Sequence, residues 1–141
     1  MNLTMQGLER FVNAQAPVYA SICEELAAGR KTSHWMWFVF PQLKELGRSP
    51  VARHFGLESR YEALAYWQHP VLGMRLKQCT MRVVEAGVSK TAHGIFGSPD
   101  DLKFRTCMTL FSQVARDESV FSQALEEFFG GQPDEMTLNL L

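Results

Sequence analysis

The chain has 141 residues, of which 46% are hydrophobic and 21% charged, and its formal net charge is −1. That length can bury a core without disulfide or metal staples, and that composition excludes a disordered or low-complexity chain. A charge this close to zero excludes a global field for nucleic acid or an anionic membrane, so any such partner has to meet a local patch.

In chain order, Leu3 to Ala14 places Leu8, Phe11 and Val12 on one face and predicts a short amphipathic helix. Pro17 suits a first helical position, and Tyr19, Ile22, Cys23 and Leu26 follow the i, i+3, i+4, i+7 pattern up to Gly29, a natural terminator. Next comes W-M-W-F-V-F, Trp35 to Phe40, apolar at every position. Such a run suits a buried strand or a helix buried all round; no second strand offers itself as a partner, which favours a helix. Ser33 is placed to cap that helix at His34, and Pro41 limits it to roughly two turns. Lys44 to Gly56 reads as a loop around a short helical turn.

Ser59 and Glu62 form an S-x-x-E capping box ahead of Tyr61, Leu64, Ala65 and Trp67. Pro70 opens the most periodic segment, with Leu72, Leu76, Cys79 and Val83 on one stripe and Gly87 at its end. Ser89 to Phe96 predicts a short helix. Ser98-Pro99-Asp100-Asp101 is a strong start signal, with a capping serine, proline at the first position and two carboxylates at the positive helix end. Its helix carries Cys107, Leu110, Phe111 and Val114. Another begins near Glu118 with Phe121, Leu125, Phe128 and Phe129, and Pro133 opens a last one through Met136, Leu138 and Leu141. The expected fold is all-α: a single domain over 1–141 with about seven or eight short to medium helices.

Four blocks carry a resemblance: R-K-T-S-H-W-M-W-F-V-F-P-Q-L with L-G-R-S-P at 46–50, H-P-V-L-G-M-R-L at 69–76, I-F-G-S-P-D-D-L-K at 95–103 and M-T-L-F at 108–111. In this order they resemble a bacterial family known as domain of unknown function 1810, sometimes labelled calpastatin-like. The resemblance spans nearly the whole chain and implies a compact multihelical domain, but no settled activity. An inhibitor of the calpastatin kind is a disordered polar chain, which this composition opposes. Where the family pattern has serines before M-T-L-F, this chain has Arg105-Thr106-Cys107, which argues against a catalytic requirement at Cys107.

The three cysteines, Cys23, Cys79 and Cys107, are widely spaced among apolar neighbours, as expected of buried reduced thiols. The four histidines, His34, His54, His69 and His93, lie 20, 15 and 24 residues apart, with no metal-ligand spacing. No metal or cofactor is implied, and no motif fixes a reaction. The N-terminus lacks the basic and apolar regions of a signal peptide, and the longest apolar run is far short of a bilayer span. A cytoplasmic protein with no membrane contact is expected, as a monomer or weak homo-oligomer.

Two polar clusters adjoin expected helix starts. Arg30, Lys31, Ser33 and His34, with Gln42 beyond the aromatic run, offer cations and N–H donors to an anion, and Trp35 or Trp37 offers a face for a ring. Asp100, Asp101, Lys103 and Arg105 form the second cluster, where capping alone already accounts for the carboxylates. The leading expectation joins Arg30, Lys31, Ser33, His34, Trp35, Trp37 and Gln42 to Asp101 and Lys103 around a small anionic ligand, a nucleotide or an ADP-ribose-like molecule. An enzymatic version adds His34 or Asp100 as an acid–base group of a hydrolase acting on a glycosidic or phosphate bond. The rival expectations are a protein-interaction module using an exposed part of the Trp/Phe-rich stretch, and an aromatic run that is simply core. The basic residues Arg30, Lys31, Lys44, Arg48, Arg53, His54 and Arg60 are the one local argument for nucleic acid. The acidic remainder of the chain argues against it.

Overall fold

Helix α8, Asp100–Val114, is the element around which the others are laid. Phe104, Cys107, Met108, Leu110 and Phe111 are wholly buried on it, each such large apolar side chain contributing roughly 1.5–3 kcal/mol. Its two buried threonines are tolerated because their hydroxyls donate back within the helix, Thr106 to the Leu102 carbonyl at 3.0 Å and Thr109 to the Arg105 carbonyl at 2.9 Å. The structure, a computed structural model, describes residues 7–141. Before α8 come α1 (Glu9–Gln15), α2 (Tyr19–Ala27), α3 (Met36–Val39), a 3₁₀ turn (Lys44–Leu46), α4 (Pro50–His54), α5 (Arg60–Gln68), α6 (Leu72–Ala86) and α7 (Ala92–Phe96). After it come α9 (Val120–Phe129) and α10 (Glu135–Leu140).

The all-α expectation holds, with ten α-helices among the described residues rather than seven or eight. A helix is expected near α3, and α4 falls where only a short helical turn within a loop is expected, being too short for a hydrophobic period to register. Helix α8 packs against α5, α7, α9 and α10, while α6 lies against α2, α5 and α9. The stripe Leu72, Leu76, Cys79, Val83 is fully inward on α6, as its spacing requires. No helix among the described residues is long and apolar enough to cross a membrane.

The aromatic run is core. Trp35, Met36, Val39 and Phe40 are buried, and Phe40 meets Phe96 and Phe104 edge-on at centroid distances of 5.8 and 5.1 Å. Phe38 instead stacks on Phe55 at 5.4 Å.

Several expected boundaries move, each for a local reason. Helix α3 begins at Met36 rather than His34, with Trp35 at its N-cap and the Ser33 amide donating to Glu25 in the loop ahead of it. Pro17 lies two residues ahead of α2. The Ser98–Pro99 peptide is cis, Ser98 caps nothing, and α8 starts at Asp100. In α10 the buried side chain is Thr137, which Asp134 holds through both its amide and its hydroxyl, while Met136 is 60% exposed. Of the first expected helix, residues 3–6 lie outside the described residues.

Candidate functional site

Gly29, with φ 71°, ends α2 and turns the chain into the polar entrance of the aromatic run. The Arg30 amide donates to the Glu25 carbonyl at 3.0 Å, and the Lys31 amide to the Ile95 carbonyl at 2.8 Å, tying the loop to α7. Glu25 Oε1 then accepts from the Thr32 amide at 2.6 Å, the Ser33 amide at 3.0 Å and the Trp35 indole N–H at 3.0 Å. Burial acts to raise the Glu25 pKa, but the hydrogen bonds from Thr32, Ser33 and Trp35 outweigh it and bring it down to about 2. The donors at this corner are thus taken by the chain's own carboxylate. Trp35 is 2% exposed and turned inward.

Beside that corner, Lys31 reaches α8. Its Nζ lies 3.0 Å from Asp100 Oδ2, and Lys103 Nζ lies 3.8 Å from Asp100 Oδ1. Each lysine also sits over an indole, Lys31 at 5.3 Å from the Trp35 ring and Lys103 at 5.5 Å from that of Trp37. The two polar clusters, far apart in sequence, meet through this ion pair.

A cleft opens on the Lys103 side. One wall is the 42–52 segment, anchored where the Leu57 amide donates to the Gln42 carbonyl at 2.9 Å and the Lys44 amide to the Leu57 carbonyl at 2.8 Å. Gly56 is required there, because a Cβ would drive into the Lys44 backbone. Ser49 caps α4 by accepting from the Ala52 amide at 3.1 Å, with Pro50 at the first helical position. The other wall is formed by Pro99 and the first two turns of α8. Gln42, Arg48, Ser49, Lys103 and Thr106 contribute polar groups to a space of about 370 Å³. A recess of about 10 Å³ behind it shares Gln42 and Lys103 and is closed by Trp37, Phe40 and Phe55. Two cations, Arg48 and Lys103, line the cleft, and none of its lining residues is acidic.

Of the residues expected at a site, Gln42, Trp37 and Lys103 come together here. Lys31 stands behind Asp100, whereas Ser33 and Trp35 serve Glu25. Arg30 and His34 are exposed, and Asp101 faces His93, at 3.6 Å between Oδ2 and Nδ1. Neither His34 nor Asp100 lines the cleft. Ser49 and Thr106 also line the cleft without having been expected at a site, and Arg48 was expected only as part of a basic cluster. The Ser49-Pro50 pair was the available signal, a helix-start signature inside the stretch read as a loop.

Comparison with known proteins adds the following. A family model described as protein of unknown function, DUF1810, matches residues 5–141. A solved structure of a conserved hypothetical protein from Mycobacterium tuberculosis is 51% identical in sequence, covers 95% of each chain and superposes with a TM-score of 0.93. No curated protein matches.

Proposed function

The chain belongs to the DUF1810 family of proteins of unknown function, and from that premise we propose that it binds a small anionic ligand of mononucleotide size in the cleft between residues 42–52 and 99–106. The observation that carries this is that Lys103 and Arg48 both line a cleft without acidic lining, with Trp37 beside Lys103 in the adjoining recess. An ammonium and a guanidinium suit a phosphate, Gln42 and Ser49 supply neutral polar contacts, and the recess offers an apolar wall. The cleft volume lies near the lower end of the range for small-molecule sites, which favours a single nucleotide over a longer ADP-ribose-like ligand. No chemical step is proposed, since the two acid–base candidates, His34 and Asp100, lie off the cleft lining. Burial of Trp35, Met36, Val39 and Phe40 leaves the interaction-module alternative only the half-buried Trp37 and Phe38 of that stretch.

Titration calorimetry with AMP, ADP-ribose and pyrophosphate tests the proposal. AMP is expected to bind saturably, with affinity falling roughly tenfold or more in Lys103→Ala and Arg48→Ala, the loss of one charged hydrogen bond each. His34→Ala is expected to bind as the wild type does. If the wild type binds none of the three saturably, the proposal is wrong.

A further inference from the structure

We infer that Lys31 tunes the affinity of this cleft without entering it, by neutralising Asp100 so that Lys103 stays available to the ligand; the inference rests on the anion-binding proposal above. The three charges form a line from interior to cleft, with side-chain exposures of 9% for Lys31, 20% for Asp100 and 29% for Lys103. Asp100 makes its close contact with the inner lysine, at 3.0 Å, and only a looser one with the outer lysine, at 3.8 Å. Those two lysines are its ion-pair partners among the described residues.

Two lysines and one aspartate leave one positive charge over, and it sits on the residue that lines the cleft. Partly buried charges are screened little by salt, so this balance is felt at the ligand. Without Lys31 the excess vanishes. Asp100 then has Lys103 as its remaining ion-pair partner, draws it back along the helix and competes directly with an incoming anion. Lys31 is therefore a positioning residue, and Asp100 is the competitor it restrains.

AMP binding at neutral pH, measured by calorimetry on Lys31→Met, Asp100→Asn and the double variant, tests this. Lys31→Met is expected to weaken AMP binding by about tenfold, the scale of coupling between groups in contact. Asp100→Asn is expected to bind at least as tightly as wild type. The double variant should recover to within about threefold of wild type, a rescue that lost packing at Lys31 does not produce. Wild-type affinity in Lys31→Met, or a double variant as weak as Lys31→Met, overturns the inference while leaving the cleft proposal standing. Absence of AMP binding in the wild type overturns both. If Lys31→Met does not fold, Asp100→Asn decides alone: equal or tighter binding supports the inference, and weaker binding overturns it.

Discussion

Glu25 and Asp100 are two carboxylates flanking the same short loop, and they end in opposite conditions. Glu25 accepts three N–H groups, from Thr32, Ser33 and Trp35, and closes the loop onto α2. Asp100 sits between two lysines, one held close and one held loosely at the edge of a cleft. The first corner satisfies every donor it gathers, so it stabilises the fold and offers nothing outward. The second leaves a cation in excess at the edge of the cleft, the feature on which the proposed anion binding rests. Corners that look alike in composition divide into structural and functional roles according to whether their charges and donors balance internally.

The largest expected effect lies in the core next to both corners, the background against which they are compared. Phe104 packs against Phe40 and Phe96, which follow the loop and end α7. Phe104→Ala is expected to cost about 3–5 kcal/mol in urea unfolding, leaving a wholly buried site underfilled. Next in size is Glu25→Ala, which leaves the buried Trp35 N–H without its acceptor and the two exposed amides to water, and should cost about 1–3 kcal/mol by the same measurement. A loss below about 0.5 kcal/mol, the range of ordinary surface changes, breaks the claim that this corner is structural.

Acid titration tests the same corner from another side. The Glu25 carboxyl goes from its ordinary value of 4.5 to about 2 on folding, so between those values the unfolded chain binds the extra proton. Stability is therefore fully present above about pH 4.5 and is lost as pH falls toward about 2. Urea midpoints across that window should fall less steeply in Glu25→Gln than in wild type. The smallest expected stability effect is that of Lys103→Ala, within about 0.5 kcal/mol of wild type even though it abolishes or weakens AMP binding. A large stability loss there erases the contrast between the two corners.

Much of the fold was legible in the sequence because helices write a local period. Leu72, Leu76, Cys79 and Val83 repeat at helical spacing and all four are buried. Ser59 caps α5 as its motif predicts, accepting from the Tyr61 and Glu62 amides at 3.2 and 3.4 Å, while the Glu62 carboxylate accepts from the Glu58 amide rather than that of Ser59. Elements of a single turn, such as α3, had blurred bounds because one turn shows no period. The expected site residues divided in the structure, Lys103, Gln42 and Trp37 adjoining the cleft and its recess. Ser33 and Trp35 instead turn their donors inward to Glu25, a residue that the helical stripe marked only as lying off the apolar face.

The sequence by itself determined the helical class, the stripes that face inward and the burial-prone aromatic run, because these follow from side-chain chemistry repeated every three or four residues. Only the tertiary structure decided that Lys31 pairs with Asp100, that Glu25 fills the corner an external anion was expected to fill, and that Arg48 faces the same cleft as Lys103. Those outcomes depend on how helices distant in the chain pack, and charge pairing across such distances leaves no local period to read.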